Sequence, residues 1–202
     1  RGDIKLGQVR LLLEKASKLS CEWGCIPVIL CGDLNSIPQS PIYQFLASSK
    51  LDIRLYDRRK ISGQIETNSN CRAFRPPNEK TSRCSLQTSL SRSLHVWSEE
   101  ELKLATGCEV TAHLEHRLNL CSAYLGACGS CRTRDNYGEP LATSYHSKFM
   151  GTVDYIWHTE ELVPVRVLET LPIDILKRTG GLPSKKWGSD HLALVCELAF
   201  AD

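Results

Sequence analysis

An apolar run that stops at a glycine and then presents two polar residues is the sequence feature that most constrains the fold. The run is Ile26–Cys31, and Gly32 separates it from Asp33 and Asn35. Short apolar runs that end at a glycine are typical of buried β-strands. Residues i and i+2 of an extended backbone point to the same side, so we expect this carboxylate and this amide to leave the strand end together.

Two later segments also place chemically active side chains beside apolar strands. Gly188-Ser-Asp-His191 comes directly before the apolar run Leu192–Cys196, and Asp154 lies within the apolar run Val153–Trp157. Each motif alone has a structural explanation, as a strand-ending turn, a helix cap or a buried acid bonded to backbone amides. Their joint occurrence favours the metal-assisted hydrolysis of a phosphodiester.

The residue types match the chemical needs of that reaction. Asp33 can orient or deprotonate the attacking water, and Asn35 can donate a hydrogen bond to the phosphoryl oxygen. Asp190 is a candidate ligand for Mg²⁺, a cation that takes few carboxylates and keeps several waters. His191 can donate to the phosphate if another group holds its ring. Asp154 is predicted to be that group, because a carboxylate within an apolar strand needs a hydrogen-bonding partner.

The elements around these motifs alternate between helix and strand. Apolar residues at helical spacing predict an amphipathic helix over Asp3–Ser20. Ser40 before Pro41 predicts a helix start, and a capping box with a stop glycine predicts another helix over 98–107. The last third holds three candidate strands, namely Val153–Trp157, Leu162–Glu169 and Leu192–Phe200. This alternation predicts a layered α/β fold.

The segment 64–92 differs from the rest of the chain. Asn, Ser, Thr, Arg and Pro dominate it, and its apolar residues show no periodicity. We therefore predict a long loop or a disordered insertion there. The whole chain of 202 residues is predicted to be a single, partial catalytic domain.

Composition and charge exclude little beyond a membrane span. The chain is 42% hydrophobic and 24% charged, and no run approaches the length of a membrane-spanning helix. The net charge of +2 is too small to indicate nucleic-acid binding by itself. Two local basic groups are candidates for phosphate contacts or simply solvated surface charges: Arg54, Arg58, Arg59 and Lys60, and separately Lys185 and Lys186.

The ten cysteines are predicted to be reduced thiols of an intracellular protein. Cys31 and Cys196 lie in apolar runs and are expected to be buried as small hydrophobic residues. The pair Cys128-x-x-Cys131 has the spacing of a zinc knuckle, but a second pair of that kind is missing. A structural zinc site is therefore the less favoured alternative.

Taken together, the motifs resemble those of the endonuclease/exonuclease/phosphatase superfamily, and within it the CCR4-type nucleases, specifically the plant carbon catabolite repressor 4 homologues. The superfamily motifs are Gly-Asp-Leu-Asn at 32–35, Asp-Tyr-Ile at 154–156 and Ser-Asp-His at 189–191. The narrower likeness rests on three longer segments, Lys5–Gln8, Cys31–Tyr43 and Thr143–Trp157. The resemblance covers about residues 1–60 and 141–200.

The resemblance implies a two-sheet α/β sandwich with the site at the sheet edges and Mg²⁺ at its base. It implies 3′-to-5′ exoribonuclease activity on poly(A) tails that releases 5′-AMP during mRNA turnover. By position it assigns catalytic roles to Asp33, Asn35, Asp154 and His191, with Asn35 also binding the phosphate. Phe149 falls where CCR4-type enzymes stack an aromatic ring on the substrate adenine, and a purely structural core role for Phe149 stays open.

One part of the family pattern is missing from the chain. Family members carry a metal-binding Glu in an N-terminal half, and Glu14 does not match it because it lies within the predicted helix. We therefore expect the chain, which begins with Arg1, to be the C-terminal part of an incomplete catalytic domain and to be inactive alone. The alternatives are a related phosphodiesterase or phosphatase on another nucleotide substrate, or a truncated, inactive interaction fragment.

Partners and location are expectations from the resemblance alone. We expect the RNA poly(A) tail as substrate and subunits of a deadenylase complex as protein partners. No membrane partner and no bound organic cofactor are expected. The expected location is the cytoplasm, the nucleus or both.

Overall fold

The structure, a computed structural model, describes residues 1–64 and 96–201. Its helices are α1 (Gly2–Glu22), α2 (Pro41–Ser48), α3 (Glu99–Thr106) and α4 (Ile173–Arg178). The first strands are β1 (Ile29–Asp33), β2 (Lys50–Asp52), β3 (His113–Glu115), β4 (Leu120–Ser122) and β5 (Ser144–His146). The remaining strands are β6 (Phe149–Gly151), β7 (Asp154–Thr159), β8 (Leu162–Val167) and β9 (Cys196–Phe200). Single turns of 3₁₀ helix cover Ile53–Leu55 and Arg58–Lys60.

The helix ends follow local capping rules. The Ser40 side chain accepts a hydrogen bond from the Tyr43 N–H at 3.3 Å at the start of α2. In α3, Ser98 and Glu101 bond reciprocally to each other's backbone N–H groups, and Gly107 ends the helix with a left-handed φ of 80°. These helix starts and the long first helix were predicted from the sequence and are confirmed.

The site depends on a three-stranded antiparallel sheet with the strand order β1-β7-β4. The strand β7 lies in the middle and is buried from its second residue onwards. Three antiparallel pairs, β2-β3, β5-β6 and β8-β9, form separate two-stranded sheets. In the part of the chain that the structure describes, no helix is both long and apolar enough to cross a bilayer.

The main core lies between this sheet and the first three helices. Tyr155 and Trp157 alternate along β7 and pack in one cluster with Leu6 and Leu13 of α1 and Phe45 of α2. On the opposite face of the sheet, a smaller cluster is formed by Ala123, Tyr124 and Ile156. The core therefore fixes β7, and with it the strand end at Asp154.

The close approach of α1 and α3 requires a glycine. A Cβ atom added to Gly7 would lie 2.1 Å from the carbonyl oxygen of Leu104. Such a distance is well inside normal contact, so any side chain at this position would push the helices apart. Gly7 thus lets α1 lie against α3 at the distance observed.

The prediction that Ile26–Cys31 forms a buried strand is wrong in its burial. The strand β1 begins at Ile29 and is exposed at four of its five positions, and within residues 1–64 and 96–201 it pairs with β7 alone. Cys31 is accordingly exposed and Cys196 is half-buried, so neither is the buried small hydrophobe that was expected. An apolar run has the same composition at an edge as in the centre of a sheet, which is why the sequence did not distinguish them.

The later strands agree with the prediction in order, and less well in their bounds. The strand β8 ends at Val167, and β9 begins at Cys196 instead of Leu192. Leu192 bonds instead through its N–H to the carbonyl of Thr143 at 2.7 Å, beside the candidate site. The predicted insertion at 64–92 lies outside the described residues except for Gln64.

Candidate active site

Strand pairing places two carboxylates opposite each other. Asp33 is the last residue of β1 and Asp154 is the first residue of β7. The antiparallel register pairs these two residues directly. Side chains of directly paired residues lie on the same face of a sheet, so both carboxylates meet at the same corner.

Asn35 reaches Asp33 through a tight turn. Its N–H donates to Asp33 Oδ1 at 2.7 Å, and its side-chain Nδ2 donates to Asp33 Oδ2 at 3.0 Å. Asn35 has a left-handed φ of 47°, so the backbone is not extended as the sequence argument assumed. The two side chains do lie together, and an Asp side chain bonded to the N–H two residues on is the reason.

The segment before β9 brings His191 to the same corner. Ser144 and His191 form an isolated antiparallel bridge, and the Tyr145 N–H donates to the Asp190 carbonyl at 3.3 Å. His191 Nδ1 lies 2.8 Å from Asp154 Oδ2. A carboxylate can only accept, so Nδ1 carries the proton and Nε2 is left for the site. Asp154 therefore holds the imidazole ring, as the sequence argument expected of a carboxylate in this strand.

Thr143, which the sequence analysis did not identify as a site residue, holds the backbone beside the Asp154–His191 pair. Its Oγ1 accepts hydrogen bonds from the N–H groups of Val153 and Asp154 at 3.0 and 3.2 Å. Thr143 is completely buried. One residue therefore fixes the backbone of Asp154 while its neighbour Ser144 pairs with His191. A threonine in a polar stretch carries no pattern that would have revealed this role.

Charge around the imidazole favours its protonated form. Partial burial alone would lower the pKa of His191, but the hydrogen bond to Asp154 raises it. The charges of Asp154, Asp33 and Asp190 act in the same direction, and the net pKa is raised above its ordinary value. His191 is therefore prepared to donate from Nε2 to an anionic oxygen.

Lys5, which the sequence analysis did not identify as a site residue, contacts the turn at Asn35. Lys5 Nζ in α1 donates to the carbonyl oxygen of Asn35 at 2.8 Å. Burial lowers the pKa of Lys5, and the charge of Asp33 opposes that decrease. By contrast, two members of the predicted basic group are held in ion pairs, Arg58 with Glu101 and Arg59 with Asp57.

The corner has the donor set of a site for a hard cation. Ligand atoms of Asp33, Asp154 and His191 lie within 4.8 Å of one another, the one such group of His, Cys, Asp and Glu within residues 1–64 and 96–201. Two carboxylates with unused lone pairs fit Mg²⁺, which takes one or two carboxylates and completes its shell with water. Cys128 and Cys131 are exposed free thiols outside this group, which removes support for the zinc alternative.

The predicted metal ligand Asp190 lies outside this group. Asp190 is exposed, and its carboxylate is absent from the group, although its charge acts on His191. Its role as a metal ligand stays a prediction. Glu14 accepts a hydrogen bond from Arg10 at 2.7 Å on the exposed side of α1, which agrees with its exclusion from the site.

Phe149 lies on the β5-β6 hairpin, whose first strand is bridged to His191 through Ser144. It is half-buried and contributes to the wall of a cavity of about 430 Å³, which Tyr137 and Pro38 also line. The same cavity is bounded by Thr152, two residues before Asp154. An aromatic side chain in a cavity wall suits a nucleobase, and the role of Phe149 in base stacking stays a prediction.

The chain is similar to known proteins over nearly its whole length. The model of the Endonuclease/Exonuclease/phosphatase family matches residues 7–191. The chain is similar to carbon catabolite repressor protein 4 homolog 5 of Arabidopsis thaliana, with 64% identity over 202 residues that cover 100% of this chain and 44% of that protein. It is also similar to homolog 3 of the same plant, with 52% identity, 99% of this chain and 43% of that protein covered.

A solved structure gives the same result for the fold. The chain is similar to the crystal structure of ANGEL2, a 2′,3′-cyclic phosphatase, in complex with adenosine-2′,3′-vanadate, with a TM-score of 0.69 and 28% identity. The match covers 98% of this chain and 52% of that chain. The chain thus spans about half of the solved relative and 44% of the first curated one. The family match extends over most of the chain and includes every motif of the site, so the chain belongs to the endonuclease/exonuclease/phosphatase family.

Proposed function

We propose that the full-length protein carrying this chain is a Mg²⁺-dependent 3′-to-5′ exoribonuclease that removes AMP from poly(A) tails. The observation that carries the proposal is the corner where Asp33, bound by Asn35, faces Asp154, which holds His191. Similarity to two carbon catabolite repressor 4 homologues supports the choice of a nuclease. The half-buried Phe149, in the wall of a cavity that Thr152 also lines, supports a nucleotide substrate.

Each protein group has a defined task in the proposed reaction. The Asp33 carboxylate accepts two hydrogen bonds from Asn35, one at each oxygen. About two of its roughly four lone pairs are therefore left to orient the attacking water and to accept its proton. The second N–H of the Asn35 amide donates to a non-bridging phosphoryl oxygen. His191, held by Asp154, donates from Nε2 to the phosphate as negative charge increases in the transition state.

A divalent cation would be held by the carboxylates of Asp33 and Asp154, and by Asp190 if the sequence prediction is correct. When bound, it would supply positive charge to the phosphate oxygens. The bond that forms joins the water oxygen to phosphorus, and the bond that breaks joins phosphorus to the 3′-oxygen of the preceding nucleotide. That oxygen leaves as a new 3′-hydroxyl, and the terminal nucleotide leaves as 5′-AMP.

The test uses the purified full-length protein with a 5′-labelled oligo(A) in Mg²⁺. We expect a ladder of products shortened from the 3′ end and 5′-AMP in the supernatant. Asp33→Asn removes the group that accepts the proton of the water, and His191→Gln removes the imidazole donor to the phosphate, so each should reduce the rate by about 10²–10⁴-fold. A wild-type protein that leaves the oligonucleotide intact under these conditions contradicts the proposal.

A second candidate is hydrolysis of a terminal cyclic phosphate. It is favoured by the structural similarity to ANGEL2, which is described as a 2′,3′-cyclic phosphatase. The same corner would serve, since both reactions add water to a phosphate diester. An oligo(A) that ends in a 2′,3′-cyclic phosphate separates the candidates, because a cyclic phosphatase opens the terminus and leaves the chain length unchanged.

A further inference from the structure

The turn that carries Asn35 is bonded at every residue from 34 to 36. The Leu34 N–H donates to the Val153 carbonyl at 2.9 Å, and the Asn35 N–H donates to the Asp33 side chain at 2.7 Å. The carbonyls of Asn35 and Ser36 each accept from a side chain of another element. A non-glycine residue keeps a left-handed backbone conformation only when its surroundings stabilise it. We therefore infer that these hydrogen bonds stabilise the left-handed conformation of Asn35.

The first of the two side-chain donors is Lys5 in α1. Its Nζ lies 2.8 Å from the carbonyl oxygen of Asn35, and the residue is half-buried. Partial burial of an ammonium group is unfavourable unless it finds acceptors. The carbonyl of Asn35 and the nearby charge of Asp33 provide that compensation. Lys5 therefore links α1 to the peptide group that joins Asn35 to Ser36.

The second donor is Tyr155 in β7. Its Oη donates to the carbonyl oxygen of Ser36 at 2.8 Å, and burial raises the pKa of Tyr155 so that the phenol keeps its proton. Tyr155 is 2% exposed, and its ring packs against the rings of Tyr43 and Trp157, with centroid distances of 5.5 and 6.0 Å. Ser36 is itself buried, so water does not replace this hydrogen bond.

We propose that Lys5 and Tyr155 are positioning residues that hold the turn at Asn35 in its left-handed form and so orient Asp33. The proposal rests on the proposed hydrolytic function. Neither residue has a hydrogen bond to Asp33: Lys5 bonds to the carbonyl of Asn35 and Tyr155 bonds to the carbonyl of Ser36. Through Asn35, whose N–H and amide both bond to the Asp33 carboxylate, they fix the direction of the lone pairs that face the water.

The first test compares two phenol-to-phenyl changes in the full-length protein. Tyr155→Phe removes the bond to the turn and keeps the ring. Tyr43→Phe is the matched control, because it removes a buried hydroxyl from the same aromatic cluster, one bonded to Glu139 at 2.7 Å and not to the turn. We expect Tyr155→Phe to lower kcat on oligo(A) by about 10–100-fold with little change in KM, as for outer groups that orient a reacting residue. Tyr43→Phe should affect thermal stability and leave kcat within about two-fold.

The second test removes the other donor at a position where folding is less at risk. Lys5→Met keeps the aliphatic stem and removes the ammonium, so kcat should fall by about ten-fold, again with little change in KM. Lys5→Arg keeps a charged donor on a long stem and should recover most of that loss. A purely structural role predicts that Met and Arg differ in melting temperature but not in kcat.

The outcomes separate this inference from the proposed function. If the wild-type protein hydrolyses oligo(A) but Tyr155→Phe resembles Tyr43→Phe and Lys5→Met resembles wild type, the positioning role is wrong and the function stands. If the wild-type protein cleaves neither oligo(A) nor the cyclic phosphate, the proposed function itself fails. Loss of kcat in Tyr155→Phe and Lys5→Met, with recovery in Lys5→Arg, supports both.

Discussion

At the level of single residues, a buried carboxyl group outside the site should make the stability of the protein depend on pH. Glu139 is 1% exposed and accepts a hydrogen bond from the Tyr43 hydroxyl at 2.7 Å. Burial raises the pKa of Glu139 above its ordinary value, and the Tyr43 bond opposes that increase only in part. The folded protein therefore favours the protonated carboxyl of Glu139 more than the unfolded chain does.

The sign of the resulting pH dependence follows from linkage. With a raised pKa in the folded state, the contribution of Glu139 to stability is complete below its unfolded pKa and is lost as pH rises through the folded value. Glu139→Gln keeps the acceptor for Tyr43 and removes the titration. We expect the variant to gain in melting temperature relative to wild type as pH rises through that range, measured by scanning calorimetry.

An opposite control is available on the surface. The hydrogen bond from Arg132 lowers the pKa of Asp174, so its contribution is lost as pH falls. Asp174→Asn should therefore lose stability relative to wild type as pH rises, if only slightly for an exposed pair. If the melting temperatures of wild type and Glu139→Gln change with pH in parallel, Glu139 is not a source of the pH dependence of stability.

Phe149 gives a second residue-scale prediction, for substrate binding. Loss of a stacked aromatic ring costs about 1–3 kcal/mol per base, so Phe149→Ala should weaken oligo(A) binding by roughly 5–150-fold. Phe200→Ala is the matched control, because Phe200 is 75% exposed and lies on β9. Equal affinities of the two variants in fluorescence anisotropy, with catalysis blocked by Asp33→Asn, would indicate that Phe149 has only a packing role.

At the scale of elements, the parts that obey local rules were predictable and the parts that depend on distant contacts were not. The caps at Ser40 and Ser98 involve residues three apart, which a sequence shows directly. Tyr155 bonds to Ser36 across 119 positions, and no local pattern encodes that contact. The exposure of β1 was missed for the same reason, since burial of an apolar strand depends on which neighbours cover it.

In the site, too, the sequence predicted which residues take part but not every contact that brings them together. The motifs identified Asp33, Asn35, Asp154 and His191, and the structure brings all four to one corner. The reason assumed for Asn35 was wrong, because a turn and not an extended strand brings it to Asp33. Fold class was predictable because alternation of helix and strand is a property of the whole chain rather than of any one contact.

The helix pair α1-α3 provides a prediction at this scale. Gly7→Ala places a Cβ atom against the backbone of α3, so we expect a loss of about 1–3 kcal/mol in the free energy of unfolding. Gly188→Ala is the control, because a Cβ at Gly188 meets no atom within 4 Å. Chemical denaturation of both variants checks the difference, and equal stabilities would mean that the helices can separate without cost.

At the scale of the whole molecule, apolar surface remains exposed on α1 and β1. Leu11 is 56% exposed, Leu12 is 47% exposed and Ile29 is 49% exposed. Exposed apolar surface promotes association in water. We expect the 202-residue chain alone to self-associate more strongly than the full-length protein, as measured by light scattering at equal molar concentration. A monodisperse monomer of the chain alone would contradict this expectation.

Catalysis by the chain alone is a separate whole-molecule prediction. The group of Asp33, Asp154 and His191 lacks the metal-binding Glu that the family resemblance implies. We therefore expect the 202-residue chain to show no measurable hydrolysis of oligo(A) in Mg²⁺ while the full-length protein is active. The Mg²⁺ dependence of the melting temperature is the companion measurement, and stabilisation should be marked only in the full-length protein. Robust activity of the chain alone would refute this prediction.

The position of the bound cation decides whether the corner of Asp33, Asp154 and His191 is the hydrolytic centre. A crystal of the full-length protein soaked with Mn²⁺ as an anomalous substitute for Mg²⁺ should show a peak at the corner of Asp33, Asp154 and His191, with carboxylate oxygens at about 2.0–2.2 Å. Asp33→Asn crystals treated in the same way should show a weaker peak. A strong Mn²⁺ peak elsewhere in the molecule, with this corner empty, would contradict the assignment of the corner as the hydrolytic centre.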